Sequence, residues 1–126
     1  MLFAEQFCFA KSNDTLFCNL PTKVVADLIL KNKFNPNTAN HGIECAAACM
    51  DSLFSSNIKT RTFYFKVFDT IINKADGAIA EIVGFYLNDF VLKHPIEFAE
   101  IFDFKNKNEV ALYFDYLLEV IYIKKK

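Results

Sequence analysis

The sequence predicts an all-α fold, a compact bundle or short solenoid of antiparallel helical hairpins with about five to six helices. Three observations carry this. Glycine and proline, three of each, are too sparse for the many turns of a β-sandwich. Apolar residues recur at spacings of three and four along most of the chain. The breaks between these runs are short, and helices joined by short connections pack as antiparallel neighbours. At 126 residues the chain has the size of one domain with a real core. A single helical domain over 1–126 is expected, with 1–20 a weakly defined N-terminal segment.

Phe3, Phe7 and Ala10 keep helical spacing, which suits a short packed helix. A competing reading takes Phe7, Cys8, Phe9 and Ala10, ahead of a polar stretch, as the end of an export leader. That pattern lacks a basic start and is interrupted by Glu5, so a cytoplasmic protein is expected, with an exported, periplasmic one as the alternative. Pro21 suits the first turn of the next helix, which buries Val24, Val25, Leu28 and Ile29. It ends in the Asn-rich run 31–40, where Pro36 cannot continue it. This is the longest loop-like stretch, and loops of this kind often carry function.

Thr38 or Asn40 is placed to cap the following helix, with Ile43, Ala46, Ala47, Met50, Leu53 and Phe54 facing inward. After a break at 55–57, Tyr64, Val67, Phe68, Ile71 and Ile72 form one stripe, opposite Lys59, Thr62, Lys66, Thr70 and Asn73. The β-branched and aromatic stretch 60–68 also reads as a strand, but the helical spacing runs on to Ile72 and no partner strand is present.

The stretch 76–93 is the centre of the assembly. Its polar members Glu81, Gly84, Asn88, Asp89 and Lys93 share one sector, and large apolar residues fill the rest, so neighbours on more than one side are required. Interrupting charges exclude a membrane span. Pro95 opens another helix, with Ile96, Phe98, Ala99, Ile101 and Phe102 inward and Glu97, Glu100 and Asp103 outward. Asn108 is placed to cap the last helix, whose seam is Val110, Phe114, Leu117 and Ile121.

Charge and chemistry narrow the function classes. Residues 1–75 carry eight basic and six acidic groups, residues 76–126 six basic and nine acidic, a net +2 against a net −3. An acidic second half disfavours nucleic acid and suits a basic protein partner. Cys8, Cys18, Cys45 and Cys49 are too irregularly spaced for a disulfide framework. A reduced, buried set is expected, with one bridge or a metal or redox role as alternatives. His41, Cys45 and Cys49 share a helix stripe, but the outer two lie about 12 Å apart along the axis, too far for one metal ion. They are weak metal candidates. Cys45 with His41 as base lacks an orienting acid, so no catalytic residue, metal or cofactor is assigned.

Glu97, Glu100, Asp103, Asp115 and Glu119 come from two adjacent helices with aromatic residues interleaved. The expected function is a non-enzymatic protein-interaction domain whose partner meets Glu97, Glu100, Asp103, Tyr113, Tyr116 and Glu119 on an acidic and aromatic C-terminal surface. A carrier of a small apolar ligand in a Phe-lined cavity between helices is the alternative. Oligomeric state is left open.

Overall fold

The computed structural model describes residues 18–103 and 105–125, with side chains as far as Tyr122. Among the described residues six helices follow one another: α1 Thr22–Leu30, α2 Gly42–Asp51, α3 Ile58–Lys74, α4 Gly77–Lys93, α5 Pro95–Phe102 and α6 Lys107–Lys125. A 3-10 turn, Ser52–Phe54, extends α2, and no strand occurs among the described residues. The fold is the expected all-α bundle. The helix and leader patterns read at 3–10 lie outside the described residues.

The helix ends follow from local chemistry. Asn57 caps α3, its Oδ1 accepting from the amides of Lys59 at 2.9 Å and Thr60 at 3.1 Å. Asp76 accepts from the Gly77 amide at 2.8 Å, and Gly77 has φ +50, a conformation glycine takes without strain. Pro95 occupies the first turn of α5. The cap of α6 is Asn106 and not Asn108: the Glu109 amide donates to Asn106 Oδ1 while the Asn106 amide donates to Glu109 Oε1, a reciprocal capping box. Neither Thr38 nor Asn40 caps α2. His41 stands there with φ 54 and makes no side-chain cap. α1 ends at Leu30, where the Asn-rich run begins, and Asn32 just beyond it takes φ 60. The Asn32 amide donates to Ile29 O at 3.0 Å and the Lys33 amide to Leu28 O at 2.8 Å, closing a Schellman motif.

One core joins all the helices. Tyr64, Val67, Phe68, Ile71 and Ile72 are buried as expected, together with Phe65. From α4 come Ile79, Val83, Leu87 and Phe90. Other inward faces are rotated from the expected ones. In α1, Val25, Ala26 and Ile29 are buried while Val24 is exposed; in α2, Cys45, Ala46, Cys49 and Met50 are buried while Ile43 is exposed. In α2 small residues, Gly42, Cys45, Ala46 and Cys49, mark the contact side, because they let helix axes approach. In α5 only Phe98 is buried, and Ile96 and Ala99 face solvent.

The central helix is not fully sheathed. Phe85 and Leu92 remain exposed on α4. Gly84, read from the sequence with the polar sector, is instead buried where α6 crosses, and a Cβ there would lie 3.0 Å from both Tyr116 O and Val120 Cγ2. α6 packs mainly on α4, where Tyr116 and Val120 meet Gly84, while Tyr113 is buried against α3 and α5 and the expected seam residues Phe114 and Ile121 are exposed. No helix among the described residues is long and apolar enough to cross a membrane.

The cysteines are not a uniformly reduced set. Cys18 and Cys45 form a disulfide that pins the segment before α1 to α2, and Cys49 is a free, buried thiol. Burial pushes that thiol up to about 12.

The Asn-rich loop is a clamp. Asn37 Nδ2 donates to Lys74 O at 2.8 Å, and its Oδ1 accepts from the Asp76 amide at 3.0 Å, so one side chain bridges the turn from α3 to α4. Lys74 Nζ reaches back to Asn32 Oδ1. Asn37→Ala is expected to lower unfolding free energy by about 1–2 kcal/mol, since two backbone groups lose their partner. Urea denaturation measures this, and an unchanged midpoint would refute the clamp.

Candidate functional site

Two concave surfaces hold four of the residues expected to meet a partner. The first is a cleft of about 360 Å³ between α3 and α5. The rings of Phe65 and Phe90, with centroids 4.9 Å apart, form its floor, and Ile58 and Ile101 lie along its sides. An ion pair stands at each end, one from α3 to α5 and one from α3 to the link between α5 and α6. Arg61 Nη2 donates to Glu97 Oε1 at 2.6 Å and Arg61 Nε to both carboxylate oxygens, while Arg61 Nη1 donates to Ser55 O at 2.9 Å. His94 Nδ1 lies 3.4 Å from the same Glu97 oxygen. At the other end Lys105 Nζ meets Asp69 Oδ1 at 2.7 Å, and the Tyr113 hydroxyl donates to that oxygen at 2.5 Å. Burial, followed by the Asp69 carboxylate, pushes the Tyr113 hydroxyl far above its usual range. Tyr113 is thus a neutral donor that locks α6 to α3.

The second surface is a shallow groove of about 320 Å³ between α4 and α6, lined by Ala80, Glu81, Leu112, Asp115, Tyr116 and Glu119. Three carboxylates border it. Burial first, then Glu119 and Asp76, raise the Tyr116 hydroxyl above its ordinary value. On another side of α6 from the groove an apolar stripe faces solvent: Phe114 is 49% exposed, Leu118 58% and Ile121 47%, at spacings of four and three. The buried residues Tyr113 and Val120 lie on the other side of the same helix. α6 is therefore apolar nearly all round yet covered on one side, the condition in which a helix face awaits cover.

The six residues expected to form one partner surface are divided. Tyr116 and Glu119 line the α4–α6 groove, and Glu97 and Glu100 line the α3–α5 cleft. Asp103 is exposed at the end of α5 and lines neither. Tyr113 is fully buried, so it is no contact for a partner; the outward reading of Glu97 is corrected too, since it turns in to Arg61. The residues that reading missed are Arg61, Phe65, Asp69 and Lys105 in the cleft and Leu118 on the stripe. The signal for the stripe is in the sequence, because no single arc holds all the apolar residues of α6.

His41, Cys45 and Cys49 do not converge as ligands. His41 Nδ1 lies 3.8 Å from Glu44 Oε1, Cys45 is consumed by the disulfide, and the Cys49 sulfur points at Thr22 O, 3.9 Å away. Neither a family model, nor a curated protein, nor a solved structure matches this chain.

Proposed function

We propose that the chain is a non-enzymatic helical domain that binds another protein through the outer face of α6. The observation supporting this is the open stripe Phe114, Leu118 and Ile121 on a helix whose opposite side already packs on α4. Asp115, one turn before Leu118, stands at the edge of that stripe, and with Glu81 and Glu119 in the groove beyond it favours a partner that sets lysine or arginine beside an apolar ridge. Apolar centre and charged rim are the usual anatomy of such a contact. The Cys18–Cys45 bridge supports an oxidising compartment over the cytoplasmic expectation, because cytosolic thiols are kept reduced.

Leu118→Asp tests the reading. Leu118 is on the surface, so the variant keeps the fold, while a charge at the centre of the contact is expected to weaken binding at least about tenfold, roughly 1.4 kcal/mol. Wild type, Leu118→Asp and the control Lys59→Gln on α3 are used in parallel to capture partners from the native source. A basic protein retained by wild type and control and lost from Leu118→Asp, with affinity falling as salt rises, is the expected result. Identical capture by all three would discard the α6 surface.

A further inference from the structure

We propose that the α3–α5 cleft is a second, independent binding site that takes an uncharged aromatic molecule of one or two rings. It shares no residue with the α6 surface, so either reading stands without the other.

Size sets the scale. An apolar cavity of about 150 Å³ holds benzene. At about 360 Å³ the cleft has room for a fused pair of rings, and it falls within the range of ordinary ligand pockets. Arg61 and Asp69 are eight residues apart on α3, which places the two ion pairs about 12 Å apart along the helix. Both are held tightly: the Arg61 side chain is 11% exposed and that of Lys105 8%. The walls are thus preformed, and ordering them costs the ligand little.

Charge selects against ions. Around the cleft stand Arg61, Lys66 and Lys105 against Asp69, Glu97 and Glu100, three of each sign. Arg61 is committed to Glu97 and to Ser55 O, and Lys105 to Asp69. Lys66 and Glu100 remain, one on each wall, both exposed and of opposite sign. An anion drawn by Lys66 is repelled by Glu100, and a cation meets the reverse. A neutral molecule meets no penalty from either. The Phe65 and Phe90 rings, tilted 47° to each other, provide the aromatic floor against which a third ring packs edge to face or offset.

The test titrates the full chain, labelled with nitrogen-15, with indole, indole-3-acetate and tryptamine, following amide shifts by NMR. Indole is expected to give saturable shifts confined to α3 residues 62–69 and α5 residues 97–101, with Kd below about 1 mM, and each charged analogue to bind several-fold more weakly. Thr62→Phe fills the cleft from an exposed position whose hydroxyl donates only to Ile58 O, and is expected to abolish saturation. Glu100→Gln leaves Lys66 unopposed: indole is expected to bind as before and indole-3-acetate to overtake it. The proposal is overturned if indole shows no saturable shift or maps to α6. It is equally overturned if the anion already binds wild type as tightly as indole, or if Glu100→Gln fails to change their order.

Discussion

Gly42→Ala is expected to cost about 3 kcal/mol or more of stability, the largest effect among the three glycine positions. A Cβ at Gly42 would sit 2.0 Å from the Pro36 carbonyl oxygen and 2.8 Å from its carbon. Both are backbone atoms, so no rotamer relieves the clash. Pro36 cannot retreat freely either. Its neighbours Asn35 and Asn37 are bonded to each other, and Asn37 is bonded to Lys74 O and the Asp76 amide across the α3–α4 turn. Accommodating the methyl group therefore means moving α2 or releasing the clamp. The helix-propensity gain of alanine over glycine, at most about 1 kcal/mol, does not offset this. Urea unfolding of wild type and variant measures the difference. A loss under about 0.5 kcal/mol, the level of an ordinary surface substitution, would show that α2 does not rest on Pro36.

The same glycine shows where reading the sequence succeeds and where it stops. Helix positions were legible because the information is local: Asp76 ahead of a long apolar run, Pro95 at a first turn, and a stripe from Tyr64 to Ile72 that repeats at three and four. Facing was legible only in α3, whose lysines and threonines mark the outside. In α1, Val24, Val25, Ala26, Leu28 and Ile29 spread over a broad arc, of which only the part holding Val25, Ala26 and Ile29 is buried. In α2 the close approach is made by Gly42, Cys45, Ala46 and Cys49, and the larger Ile43 is left outside. In α2 the small residues admit a close neighbour, and a wheel weighted by hydrophobicity does not register that.

The candidate sites were legible in part for a related reason. Acidic and aromatic residues in the C-terminal half were visible, and Glu119, Tyr116 and Glu100 do line concave surfaces. Pairings over long sequence distances were not visible. Glu97 looks outward on its own helix until Arg61, 36 residues earlier, is brought against it, and Tyr113 looks like an interface aromatic until Asp69 takes its hydroxyl from 44 residues away. A bidentate guanidinium–carboxylate pair and a neutral hydroxyl donating to a carboxylate are both strong enough to turn a polar group inward.

Removing the Cys18–Cys45 bridge is expected to cost about 3 kcal/mol, the second large effect. The bridge closes a loop with a sequence separation of 27, and loops of about this length lose roughly that much unfolded-state entropy when cross-linked. Cys18→Ala tests it best, since Cys18 is only partly buried whereas Cys45 lies in the core, where truncation adds a packing loss. Cys49 does not short-circuit the bridge. Exchange needs a thiolate, and a thiol pushed up to about 12 by burial has almost none at neutral pH. Two measurements then have to agree: reductant lowers the urea midpoint of wild type to that of Cys18→Ala, and leaves Cys18→Ala itself unmoved. Should wild type unfold at one midpoint with and without reductant, the bridge makes no contribution to the fold, and the ground for placing this chain in an oxidising compartment goes with it.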